Sequence, residues 1–100
     1  MIPATLRKIA LALPDTSEQP HHGFPSFRTK NKIFATVPDD THIHVMLDED
    51  DIRSAVTTHD CCEEMYWGKR LSAVRVDLTT ATQALISDLL LDAWERIHEA

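Results

Sequence analysis

Glycine is scarce: the 100 residues contain two, Gly23 and Gly68. Phosphate-cradling loops and dinucleotide fingerprints need clustered glycines so that the backbone can approach the ligand, so both are excluded. Cysteine is as rare, and Cys61 and Cys62 are adjacent, so they cannot form the loop-closing staple of small secreted domains. They suit a reducing compartment. No apolar run approaches the roughly 18 residues that a membrane span needs, and the first residues lack a basic-then-apolar signal pattern. A cytoplasmic protein with no membrane partner is expected. Repeats, Gly/Ser linkers and low-complexity tracts are also missing.

What is present is an ordinary globular composition, 43% hydrophobic and 26% charged. A chain of this length buries very roughly 60–65% of its unfolded surface, which suits one core of helices on a sheet and no deep interdomain cleft. Residues 1–100 are therefore expected to form a single domain. The formal charge of −6 opposes uniform attraction to phosphate backbones. That charge is uneven. Residues 1–38 balance at +3, residues 39–51 at −6, residues 52–78 at zero and residues 79–100 at −3. Any nucleic-acid contact must come from a local patch.

Periodicity supplies the elements. Ile2, Leu6, Ile9 and Leu13 mark one stripe of a short helix, with Pro3 in its first turn and Pro14 ending it. A polar connection containing Pro20 and Gly23 follows. PSFRTKNKIFATV reads as a hairpin turning at Asn31, and THIHVMLDE alternates, with Ile43, Val45 and Leu47 on one face and His42, His44 and Met46 on the other. The acids of DEDDIRSAVTTH fit the first turn of a helix, where the macrodipole favours them, better than a metal site. EEMYWG and LSAVRVDL form a second hairpin around Gly68, with Val74, Val76 and Leu78 inward and Arg75 outward. Thr80-x-x-Gln83 has the form of a capping box. It opens a last helix with the stripe Ile86, Leu89, Leu90, Ala93 and Ile97. The order α-β-β-β-α-β-β-α is an α+β arrangement, with helices on one face of a mainly antiparallel sheet of about five strands.

The blocks LALPD, HHGFPSFRTKNKIFATV, HIHVMLDEDDIRSAV, LSAVRVDL and LISDLLLDAWERI resemble the MmcQ/YjbR family of small bacterial proteins over nearly the whole chain. PSFRTKNKIFA is the most specific block, whereas HDCCEEMYWGKR departs from the pattern by placing Trp67 early. The resemblance implies a CyaY-like, double-wing α+β fold and, for function, a proposed role in DNA binding.

Six basic residues make the first candidate site: Arg28, Lys30, Lys32, Lys69, Arg70 and Arg75. Alternation sets Arg28 and Lys30 on one side and Arg75 away from Val74 and Val76. Lys32, Lys69 and Arg70 fall at turns or strand ends, where the wings of a winged domain contact phosphates, and Tyr66 and Trp67 would add stacking on a base. The competing reading is a solvated sheet face whose charges prevent edge-to-edge pairing, with Tyr66 and Trp67 in the core. The alternative function is a protein-interaction or small-ligand module on the strand face around Phe27, His42, His44, Met46 and Trp67. Acids of segment 39–51 interleaved with the basic residues would count against DNA binding.

No metal site and no cofactor are expected. His42 and His44 share a face, with His59, Cys61 and Cys62 as further ligand types, but the paired spacings of zinc sites are missing. His21 and His22 read as part of a polar loop. No catalytic residues are assigned: a histidine two positions before a cysteine does not make a nucleophile–base pair, and no nucleophile elbow, kinase set or zinc-protease helix occurs.

Overall fold

In the computed structural model, which describes residues 3–99, three helices and six strands run α1 (Pro3–Leu11), β1 (Thr16–His21), β2 (Phe24–Thr29), β3 (Lys32–Asp39), β4 (His42–Val45), α2 (Glu49–Thr58), β5 (Cys62–Trp67), β6 (Arg70–Asp77) and α3 (Gln83–Glu99). The class is α+β, and the sheet is antiparallel throughout with order β1-β2-β3-β4-β6-β5. Leu6 lies in the core with Ile9 and Leu13 against it, while Ile2 of the same predicted stripe lies outside the described residues.

The sixth strand is the departure from the sequence expectation. TSEQPH of β1 was expected as connection because it offers no apolar residue for a period to act on. It is an edge strand, paired to β2 alone from Thr16↔Thr29 to His21↔Phe24. Pro20 is tolerated there, since an edge strand has a side where no ladder donor is needed.

Both anticipated hairpins form. Lys30 (φ 51°) and Asn31 (φ 62°) are consecutive left-handed residues, as in the hairpin turns whose twist matches that of the flanking strands. Gly68 supplies the positive φ (59°) of the β5–β6 turn at little steric cost. Three register shifts bend the strands: Phe34 is skipped between β2 and β3, β3 shifts between Thr36 and Asp39 against β4, and Ser72 is skipped between β5 and β6. The first shift lets neighbours Phe34 and Ala35 both be buried.

One row across the sheet, Phe27, Ala35, Val45 and Val74, is buried with the helix stripes. Phe27 is thus a core residue at 1% exposure, not part of an open strand face. The adjacent row is polar: Ser26, Thr36, His44, Arg75 and Glu63. Asp48 caps α2, accepting from the Asp51 amide, with Glu49, Asp50 and Asp51 in the first turn. In α3 the capping side chain is Thr82, whose hydroxyl accepts from the Leu85 amide, rather than Thr80. The chain after β6 turns back first, with the Thr80 and Ala81 amides bonded to the Asp77 carbonyl, which delays the helix. All five residues of the predicted α3 stripe are buried. Trp94 Nε1 donates to the Pro14 carbonyl (2.8 Å), and His98 Nε2 meets the buried Thr29 hydroxyl (2.7 Å), so α3 is tied to the open end of β1–β2, where Thr16 pairs with Thr29.

Candidate functional site

Strand length creates the site. β4 has four residues, between two eight-residue neighbours. Both neighbours run antiparallel to it, so β3 and β6 are parallel and begin at the same end of the sheet. Pairing of β4 with β6 stops at Val45↔Val74, and the Met46 amide makes a last bond to the Phe34 carbonyl before the chain leaves for α2. Beyond that point the first residues of β3 and β6 have no strand between them. The gap is a notch of about 680 Å³, within the roughly 300–1,000 Å³ of small-ligand sites.

Its floor is the buried Thr36, Leu47 and Leu71, and its walls hold Ile33, Met46 and Ser72. Four cations from four elements line it: Arg28 (β2), Lys32 (β3), Arg70 (β6) and Arg96 (α3). Among the described residues none of the four has a carboxylate partner. Arg28 is steadied by neutral groups, donating through Nε to Ser26 Oγ (3.3 Å) and through Nη2 to the Pro20 carbonyl (3.5 Å). Trp67 also lines the notch, 65% exposed, and Tyr66 beside it is 49% exposed. Both were candidates for the core. They lie instead at the end of edge strand β5, next to the turn.

Acids share this end. Asp48 and Glu49 line the notch, although Asp48 serves its helix and Glu49 meets Arg53 (3.4 Å). Burial raises the carboxyl pKa of Asp51, and Asp48 and Asp92 push it further in the same direction. The acidic segment therefore divides, with Asp39 and Asp40 at the β3–β4 turn and Asp48 and Glu49 in the lining with the cations, followed by Asp50 and Asp51 in the first turn of α2.

The six predicted basic residues divide as well. Arg28, Lys32 and Arg70 line the notch, while Lys30 and Lys69 sit on the two turns at the same end of the sheet. Arg75 stands apart. Its guanidinium donates to His44 Nε2 (3.0 Å) and meets Asp39 Oδ2 (3.6 Å). An arginine only donates, so His44 is neutral with its proton on Nδ1. Half-burial lowers the His44 pKa, with Arg75 and His42 adding to the effect and Asp39 opposing it. The carboxyl of Asp39 is held down at about 2 by the Thr41 amide first and then by His42. Arg96 and His21, also in the notch, carry no local sequence signal. The packing of α3 against β3 puts Arg96 there, while His21 joins the lining from the far end of β1, where it pairs with Phe24.

A second cavity of about 710 Å³ lies at the other end of β6, lined among others by His59, Asp60, Cys61, Glu63, Asp77 and Thr82. Burial, with Cys61 adjacent, pushes the Cys62 thiol up to about 12, which leaves almost no thiolate at neutral pH. Among the described residues no group of three or more His, Cys, Asp or Glu side chains is placed to hold a metal ion, and no helix is long and apolar enough to cross a membrane.

The YjbR family model matches residues 11–96, and the chain belongs to that family. No curated protein and no solved structure matches it.

Proposed function

We propose that this YjbR-family chain is a binding module for phosphate-bearing anions, with the notch as its site. The carrying observation is that Arg28, Lys32, Arg70 and Arg96 line one concavity without carboxylate partners among the described residues. Like charges around one concavity repel, so their grouping favours an anion among them. The floor is partly apolar, with the buried Leu47 and Leu71 in it, and a lower local dielectric strengthens each charge-assisted hydrogen bond to a phosphate oxygen. Calorimetric titration with inorganic pyrophosphate at low and physiological salt tests this reading. Saturable binding that weakens with salt is expected, and its absence at low salt defeats the proposal.

A second reading is nucleic-acid binding, favoured by the placement of Lys30 and Lys69 on two turns that flank the notch. The turns would act as wings gripping a backbone on either side. Asp48–Asp51 at the same end oppose a long polyanion. Fluorescence anisotropy with short single- and double-stranded DNA measures the outcome, since log affinity falls with log salt by about 0.7 to 0.9 per phosphate neutralised. A strand seated on both turns gives a slope that drops when Lys30 and Lys69 become alanine. Binding indifferent to those changes rejects this reading.

A further inference from the structure

We infer that the ligand of the notch is a mononucleotide, its phosphate held among Arg28, Lys32, Arg70 and Arg96 and its base laid against Trp67 and Met46. The inference rests on the anion-binding reading and narrows the ligand class. A site for a bare phosphate needs cations and little else. This one adds an exposed indole at the rim, a thioether on the wall and Leu47 and Leu71 in the floor. An apolar surface beside a cationic one matches a ligand with a flat ring at one end and an anion at the other. Indole faces stack on heterocycles of any sequence, and a flexible thioether fills against a ring edge.

The two acids set the length of the ligand. Asp48 and Glu49 stand on the α2 wall, followed along the helix by Asp50 and Asp51. A chain of phosphates leaving the notch past α2 would meet four carboxylates. A single nucleotide meets the first two with its sugar hydroxyls and ring amino groups, which are donors that carboxylates accept. The same acids therefore discourage a strand and suit one unit.

Calorimetry on the full chain with four probes separates the possibilities: pyrophosphate, ribose 5-phosphate, adenosine monophosphate and a single-stranded hexanucleotide. The nucleotide is expected to bind about tenfold or more tightly than ribose 5-phosphate, the difference being the stacked base. Trp67→Ala should abolish that difference while leaving ribose 5-phosphate unaffected, and Trp67→Phe should keep most of it. Trp67 is largely exposed, so both variants are expected to fold; circular dichroism verifies this. Equal binding of the nucleotide and the sugar phosphate overturns the inference and leaves the anion site standing. Tight binding of the hexanucleotide with none of the mononucleotide overturns it in favour of a strand. If no phosphate compound binds, the anion-binding reading itself has failed.

Discussion

The two ends of β6 carry cavities of nearly equal size, about 680 and 710 Å³, with opposite electrostatics. At the starting end the cations of the notch face open space without carboxylate partners among the described residues. At the finishing end the lining contains Asp60, Glu63 and Asp77 and no lysine or arginine. Of these acids Asp77 is occupied: it accepts from the Thr79 hydroxyl and amide, which lower its pKa. At the neighbouring β3–β4 turn, Asp39 accepts from Thr41 and meets His42 and Arg75. Charge alone therefore does not mark a site. The finishing end uses Asp77 and the neighbouring Asp39 to fix turns, whereas the notch leaves its cations available to a ligand.

The strongest test removes what both ends share. Ile43, fully buried at the centre of β4, is expected to cost about 2–5 kcal/mol of unfolding free energy as alanine, measured by urea denaturation. A loss below about 1 kcal/mol would mean that the backbone ladder, not burial, holds the strand. Next, the double variant Lys32→Ala/Arg70→Ala should weaken pyrophosphate binding about tenfold or more, because each charge-assisted bond contributes about 1.5–3 kcal/mol. Arg75→Ala, whose partners are His44 and Asp39, should leave that affinity within about twofold. Equal losses would erase the distinction between the two ends.

Acid provides a third comparison. Asp39 has its pKa lowered from 3.8 to about 2, so its stabilising contribution is fully present above its ordinary value and disappears as pH falls through about 2. His44 is also lowered, from 6.5; the folded state resists protonating it, so its contribution is present above 6.5 and fades as pH falls through the depressed value. Denaturation midpoints should therefore decline in two stages on acidification. Asp39→Asn should flatten the lower stage, and an unchanged profile would show that the turn does not depend on that charge. The smallest effect is expected from Asp48→Asn. Asparagine caps as well as aspartate, so stability should stay within about 0.5 kcal/mol, while pyrophosphate binds about two- to threefold more tightly for loss of an exposed negative neighbour. Weaker binding would place Asp48 on the ligand's side of the comparison.

Elements with a strong period were legible in the sequence. The α3 stripe, the alternation of β4 and both hairpins depend on apolar spacing and turn residues, which act locally. β1 was not legible, because a polar edge strand is chosen by its partner β2 rather than by its own side chains. The cap of α3 shifted from Thr80 to Thr82 because a tight turn after β6 claims the nearer residues. Of the site, Arg28 was recognisable by strand alternation and Lys32 and Arg70 as cations at turns or strand ends, but their union with Arg96 and Met46 follows from the length of β4. Strand length is a tertiary outcome: Met46 continues the alternation in sequence and yet leaves the ladder, since the chain must depart to start α2.

The brevity of β4 also has a mechanical consequence. Within the sheet the β2–β3 and β5–β6 hairpins are joined through this one four-residue strand. Lys32 rides on one arm and Arg70 on the other. A ligand held by both would bridge the two arms as a clasp does, and the added constraint is expected in the strand between them, as slower hydrogen exchange at Ile43 and Val45, although neither residue lines the notch.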